Sequence, residues 1–234
     1  MILVCVKSTD IKEIAEQIAN LGNEHAIIMT LQNGVDNEEI LADVFGVERV
    51  LSVATYVSSQ ISEHEMIKQD GRVKLVIGVL HESLVPYRDR IAELFNEAHI
   101  DTSTKDTIME QKRKKFLWNA TFNPLAALLT AKVGEILDDE EPRKIAEKVY
   151  REVILIANIN GIPLKKKMFE ITFSNVEYAR KHKPSMLQDR LRGKKMEIES
   201  LLGYLVKKID DCKLKHQLFK QFIVIFFLLT VKSN

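Results

Sequence analysis

Cysteine is scarce in this 234-residue sequence. Only Cys5, in an apolar run, and Cys212, in a charged one, are present, and their spacing is not that of a metal or redox motif. This usage disfavours a disulfide-rich secreted scaffold and fits the reducing cytosol. The opening MILVCVKSTD also lacks the basic segment and the cleavage site of a signal peptide. We therefore expect a cytoplasmic protein.

A long hydrophobic run and an excess of one charge are missing as well. The apolar run Phe222–Leu229 covers eight residues, whereas a membrane span needs about 20, so a buried C-terminal helix is the simpler interpretation. Lysine and arginine number 34 against 33 acidic residues, which gives a net charge of +1. That balance leaves no electrostatic footprint for nucleic acid or an anionic membrane. The expected partners are small molecules, and a homodimer is left open.

The composition is otherwise that of an ordinary globular protein, with 46% apolar and 29% charged residues. The length of the chain suits two compact domains. Up to about residue 100, short apolar runs typical of strands alternate with helical spacing. The strand patterns cover Ile2–Val6, Ala26–Leu31, Val50–Val57 and Val73–Leu80, and the helical patterns cover Ile11–Leu21, 37–45 and Leu84–Ala98. This alternation predicts an α/β sheet with parallel pairings.

Long helical patterns replace the strands from about Lys105. They are Thr107–Ala131, Pro142–Asn160, Pro163–His182, a segment that starts at Pro184 and a last stretch from about Lys195. The polar segment Asp101–Thr104 lies where the pattern changes and is the expected hinge. The sequence thus predicts an α/β domain over residues 1–103 and an all-helical domain over residues 104–234.

Lys7 and Asn33 each follow one of two successive predicted strands. In open α/β sheets, ligands bind outside the carboxyl ends of the strands, so both side chains are candidates for one binding crevice. The simpler alternatives are a solvated lysine and a turn in which Gly34 supplies a positive φ.

Lys115, Asn119 and Asn123 recur at four-residue spacing and share one stripe of a predicted helix. Apolar residues flank this stripe on both sides, so the helix is expected to be mostly buried. Buried amides and an ammonium are costly without partners, so the stripe either lines a polar cleft or belongs to an internal polar network. Pro124, which directly follows the stripe, is expected to kink the helix.

A further cluster is SMLQD, from Ser185 to Asp189, followed by Glu197. Ser185 and Gln188 form a capping-box pattern, so Ser185 has a simple structural alternative as a helix cap. Glu197 has another, as a surface carboxylate.

These segments together resemble the ketopantoate reductase family. The resemblance rests on VCVKSTD, on LQNGV, on the lysine and asparagines of the stripe with Pro124, and on SMLQD with Glu197, and it extends from the first residue to about Lys208. It implies a partial Rossmann-type sheet domain followed by a helical domain like that of 6-phosphogluconate dehydrogenase. The implied activity is NADPH-dependent reduction of 2-dehydropantoate to pantoate in pantothenate and coenzyme A biosynthesis.

The resemblance also assigns roles to the motif residues, in an active site expected in the cleft between the two domains. Lys115 would be the general acid, and Glu197 would act at the active centre and help fix substrate and cofactor. Asn119, Asn123 and Ser185 would bind the 2-oxo acid. Lys7 and Asn33 would contact NADPH.

Three departures from the family pattern keep alternatives open. The family's G-x-G-x-x-G turn does not occur in the sequence, so we expect a chain truncated at its N-terminal side. Val133 stands where some members have another substrate-facing asparagine, and the tail from about Ile209 is atypical. The alternatives are a reductase of another 2-oxo acid and a non-catalytic remnant or oligomerisation module.

Overall fold

The computed structural model describes residues 1–57, 59–61, 66–69, 72–159, 164, 168, 172–173 and 180–211. The chain divides into two compact units, Met1–Arg113 and Lys114–Asn234.

A five-stranded sheet forms the centre of the first unit, with strand order β1-β2-β3-β6-β7. Its strands are β1 (Ile2–Val4), β2 (Ile28–Thr30), β3 (Val50–Tyr56), β6 (Lys74–Val79) and β7 (Thr102–Thr104). Neighbouring strands are parallel except β3 and β6, which are antiparallel. A parallel connection needs a crossover, usually a helix. The described residues between β3 and β6 contain no helix, and they form the antiparallel strands β4 (Ser59–Ile61) and β5 (Ile67–Gln69). The expectation of parallel pairings is therefore wrong at this one step.

Helices cover both faces of the sheet. The helices α1 (Ile11–Asn20) and α2 (Asn37–Phe45) share a buried cluster with Ile28. The helix α3 (Val85–Glu97) shares another cluster with Met29. Because successive side chains of a strand point to opposite faces, these clusters lie on opposite sides of the sheet.

The two edges of the sheet differ in character. At one edge, β1 pairs with β2 and with no other described strand, and Leu3 is 45% exposed. At the other edge, β7 occupies the polar segment expected to be a hinge. The Asn96 side chain accepts a hydrogen bond from the Thr102 N–H and donates one to the Thr102 carbonyl, both at 2.9 Å. This edge strand pairs with β6 and is held in addition by the Asn96 amide. Its residues show no apolar pattern, so it escaped prediction.

The described residues of the second unit form helices and the turns between them, and none of these residues is in a strand. Its helices are α4 (Ile108–Leu129, which begins in the first unit), α5 (Val133–Asp138), α6 (Glu140–Ile159), α7 (Ser185–Leu191) and α8 (Tyr204–Asp211), and a π-helical turn covers Glu199–Gly203. The helices predicted to start near residues 107, 142 and 184 are confirmed, and α4 continues through Pro124. The helix expected over Pro163–His182 and the apolar run Phe222–Leu229 fall largely or wholly outside the described residues. None of the described helices is both long and apolar enough to cross a membrane.

Gly78 of β6 allows α4 to approach the sheet. A Cβ at this position would lie 2.2 Å from Ile108 Cβ and 2.7 Å from the Lys105 carbonyl oxygen. We expect Gly78→Ala to lower the free energy of unfolding by about 3 kcal/mol or more, because neither Ile108 Cβ nor the Lys105 carbonyl can move away without a shift of the main chain. Gly22→Ala is the control. The space around Gly22 is open and its φ is +69°, so this substitution costs about 1 kcal/mol from backbone conformation alone. Urea denaturation measures both, and equal losses would contradict the close approach.

Candidate active site

Lys7 and Asn33 occupy equivalent positions at the same end of the sheet. Val4 pairs with Thr30 in the parallel register, and each candidate lies three residues beyond its strand's last paired residue. The Gln32 side chain ties the two strand ends together. Its Nε2 donates to the Val6 carbonyl at 2.9 Å, and its Oε1 accepts from Thr30 Oγ1 at 3.0 Å. The structure therefore brings these two predicted residues to one rim.

The backbone around both residues is well defined. Lys7 is exposed and extended, and its carbonyl accepts the Asp10 N–H at 3.0 Å in a following 3-10 turn. Asn33 is half-buried, and its carbonyl accepts Asn37 Nδ2 at 2.6 Å. Gly34 has φ +103°, so the predicted turn is confirmed.

The first turn of α2 contains buried oxygen atoms that the sequence did not single out. Asp36 Oδ1, Asn37 Oδ1 and Glu38 Oε2 are buried and accept no hydrogen bond from a described residue. Burial raises the pKa of Asp36, and the charges of Glu38 and Glu39 raise it further, while a backbone hydrogen bond and Lys112 oppose the shift. This polar turn directly follows the segment that carries Asn33.

Glu38 also forms a buried ion pair with Lys112. Both side chains are almost inaccessible, at 2% and 3% exposure, and Glu38 Oε1 accepts a second hydrogen bond from Ser52 Oγ at 2.6 Å. The pair joins α2 to β3 and to the first turns of α4. Lys112 was missed because it stands in the charge run QKRKK, although its four-residue spacing from the buried Ile108 was an available signal.

The polar stripe of the second unit has the environment that the sequence predicts. Lys115 and Asn119 are half-buried and Asn123 is 4% exposed. The helix is buried around them, through Phe116, Leu117, Ala120, Phe122, Leu125, Ala126 and Ala127. An amide in such apolar surroundings is costly unless it is hydrogen-bonded.

Ser185 does not cap a helix. It is the first residue of α7, the N-cap residue is Pro184, and no side-chain hydrogen bond caps the helix. Gln188 Nε2 donates to the Lys183 carbonyl at 2.9 Å instead of completing a capping box. The capping-box alternative is therefore wrong, and the Ser185 residue is exposed.

Arg190, five residues after Ser185 in α7, forms hydrogen bonds with α4. Its Nη1 donates to the carbonyl of Ala127 at 2.6 Å and to that of Leu128 at 3.3 Å. Within the second unit, the helix that begins with Ser185 is thus joined to the helix that carries the Lys115 stripe.

Glu197 and Val133 differ in their burial. Glu197 is half-buried and precedes the π-helical turn Glu199–Gly203; π-helical turns are frequent at functional sites. Val133 is 0% exposed at the start of α5, so it packs in the core. Among the described residues, no group of His, Cys, Asp and Glu side chains is arranged to hold a metal ion.

Most of the chain is similar in sequence to known proteins. The family described as Ketopantoate reductase PanE/ApbA matches residues 1–82, and its C-terminal counterpart matches residues 107–218. A 2-dehydropantoate 2-reductase of Pyrococcus horikoshii is 31% identical over 77% of this chain and 59% of that protein. One of Archaeoglobus fulgidus is 27% identical over 89% of this chain and 69% of that protein. The chain thus spans about 59% of the length of the Pyrococcus relatives.

Solved structures share the fold. A 2-dehydropantoate 2-reductase from Geobacter metallireducens is 26% identical with a TM-score of 0.85, over 99% of this chain and 76% of that one. A D-mandelate dehydrogenase in complex with NADH is 18% identical with a TM-score of 0.89, over 99% and 79%, and shows the fold alone. The expected fold, a Rossmann-like N-terminal domain and a helical C-terminal domain, is confirmed.

Lys112→Met tests the buried ion pair. We expect it to lower the free energy of unfolding by about 3–5 kcal/mol, because the Glu38 carboxylate is left buried and uncompensated. Adding Glu38→Gln should recover part of that loss. Glu93→Gln, which breaks the exposed Arg90–Glu93 pair, is the control and should cost less than about 1 kcal/mol. Urea denaturation at pH 7 distinguishes them, and a loss for Lys112→Met as small as the control's would contradict the pair's importance.

Asp36→Asn tests the buried turn through pH. Because the pKa of Asp36 is raised in the folded state, the folded protein binds this proton more tightly than the unfolded chain does. Stability contributed by the protonated group is complete below the ordinary pKa of 3.8 and is lost as pH rises through the raised value. Asp36→Asn should therefore stabilise the protein at pH 7 and lose that advantage as pH falls towards 4. Urea midpoints across pH 4–8 measure this; an advantage that grows at low pH would refute the assignment.

Proposed function

The chain belongs to the ketopantoate reductase family, and on that basis we propose that it serves the NADPH-dependent reduction of 2-dehydropantoate to pantoate, with Lys115 as general acid. The observation that carries the proposal is the arrangement of three residues on one helix. Lys115 and Asn119 are half-buried and lie one helical turn apart, and Asn123 is buried one turn further along. The sequence of each unit matches its own part of the family.

The rim of the first unit fits a nicotinamide cofactor. Lys7 supplies an exposed ammonium for a phosphate, and Asn33 supplies an amide that can both donate and accept hydrogen bonds. Both follow parallel strands, where ligands of such sheets bind. When bound, the cofactor supplies the hydride. Lys7 and Asn33 would hold and orient it.

Lys115 would deliver the proton. As negative charge develops on the C2 oxygen of the substrate, the Lys115 ammonium stabilises that charge and then donates a proton to it. Electrostatic stabilisation of this kind is large where water is excluded, and the half-buried Lys115 lies next to the buried residues Phe116 and Leu117. Lys115 is left neutral and regains its proton from solvent.

The other motif residues would bind the substrate. Asn119 and Asn123 would hydrogen-bond its hydroxyl and carbonyl groups, and Ser185 its carboxylate. The Ser185 residue is exposed and does not cap its helix, which leaves it suited to a ligand. Glu197 would hydrogen-bond at the active centre and fix the orientation of substrate and cofactor.

A second candidate is the reduction of a different 2-oxo acid. The observation that favours it is the fully buried Val133, which offers no polar group to a substrate where some family members have asparagine. Rates for ketopantoate and other branched 2-oxo acids at fixed NADPH separate the two candidates. A preference for another acid would favour the second.

A non-catalytic remnant or oligomerisation module is the third candidate. Its support is the partly exposed Leu3 on β1 at the sheet edge. Turnover of any 2-oxo acid with NADPH would reject it.

Lys115→Ala tests the general acid. We expect kcat for ketopantoate reduction to fall by about 10²–10⁴-fold, the usual contribution of a positioned acid. Lys114→Ala is the matched control, since it removes an exposed lysine one position away, and it should change kcat by less than about twofold. NADPH oxidation is followed for the chain alone and for the chain preceded by a segment that carries the family's G-x-G-x-x-G turn. Unchanged turnover in Lys115→Ala would remove Lys115 from the mechanism.

A further inference from the structure

The carboxyl end of α4 depends on a side chain for its hydrogen bonds. The last carbonyls of any helix have no partner within it. In α4, the Ala126 carbonyl accepts the Ala131 N–H at 3.1 Å, with Thr130 at φ 54° turning the chain out of the helix. The next two carbonyls, of Ala127 and Leu128, are bound by Arg190.

Arg190 suits this place for two physical reasons. A cation at a helix carboxyl end is favoured by the helix dipole. Hydrogen bonds in which one partner is ionised are also about twice as strong as neutral ones. Ala127 is fully buried, so water cannot readily replace the guanidinium there. The contact therefore fixes α7 against the last turn of α4.

The same contact fixes the distance between two sets of proposed substrate residues. Ser185 begins α7, about 7.5 Å along the helix axis from Arg190. Asn123 lies one turn before Ala127 on α4, and Asn119 lies one turn earlier. Asn119, Asn123 and Ala127 belong to one continuous helix, and Ser185 and Arg190 to another, so a change where the two helices are joined displaces Ser185 relative to both asparagines.

We propose that Arg190 is a positioning residue for the 2-oxo acid: by binding the carbonyls of Ala127 and Leu128, it holds Ser185 at the distance from Asn119 and Asn123 that the substrate spans. This inference rests on the proposed function, because it assigns the carboxylate to Ser185. Arg190 itself does not touch the substrate.

The test is the affinity of the full chain for ketopantoate in the presence of NADPH, measured by calorimetry. Arg190→Gln should raise Kd about three- to tenfold, the range expected for one lost hydrogen bond, and Ser185→Ala should do the same. The double variant should bind no more weakly than Ser185→Ala alone, because Arg190 acts through Ser185. Lys194→Gln, which removes a positive charge from the exposed segment after α7, is the control for electrostatics and should leave Kd unchanged.

The following outcomes overturn the inference. An unchanged Kd in Arg190→Gln, an additive loss in the double variant or an equal loss in Lys194→Gln does so while leaving the proposed function intact. Failure of the folded wild-type chain to bind ketopantoate overturns the proposed function, and the inference with it. If Arg190→Gln does not fold, Arg190→Lys replaces it in the test. Both the Kd for ketopantoate and the hydrogen exchange of the α7 amides are then measured. Faster exchange with a raised Kd supports the inference, and faster exchange with an unchanged Kd contradicts it.

Discussion

The buried ion pair of Glu38 and Lys112 is the interaction on which the candidate cofactor rim depends. Glu38 lies in the first turn of α2, directly after the turn that carries Asn33, and it is bonded to Ser52 of β3 and Lys112 of α4. Two buried charges are energetically acceptable only while they are paired with each other. The pair therefore fixes α2, the sheet and the start of α4 in one arrangement, and the Asn33 turn is held by that arrangement.

Apolar periodicity in the sequence was enough to predict most of the fold, because burial selects the residues that produce it. The strand patterns around Ile28 and Val53 and the long pattern of α4 correspond to buried residues in the structure. Elements that rely on polar contacts were missed. The edge strand β7 is held by Asn96, and Lys112 is buried by its pairing with Glu38. The Asn96–Thr102 contact leaves no apolar pattern in the sequence, and the partner of Lys112 lies 74 positions earlier in the chain.

The candidate site shows the same division between local and distant causes. The Lys115 stripe follows from helical spacing, and the Asn33–Gly34 turn follows from residue type, so both were predictable. The cap expected at Ser185 was wrong because Pro184 takes the N-cap position and Gln188 turns to Lys183. Arg190 was not predictable as a contact, because its partners are backbone carbonyls more than 60 positions earlier in the chain. The proposed roles of Lys7, Asn33, Lys115 and Glu197 rest on the family motif together with their places on the two units.

The most direct test of the central claim, that this chain holds a nicotinamide cofactor and a 2-oxo acid, is calorimetric titration of the purified chain with NADPH, with and without ketopantoate. Saturable NADPH binding that is strengthened by ketopantoate is the predicted result. A chain that is folded by circular dichroism and binds NADPH under neither condition would contradict it, and family membership would then describe ancestry rather than activity.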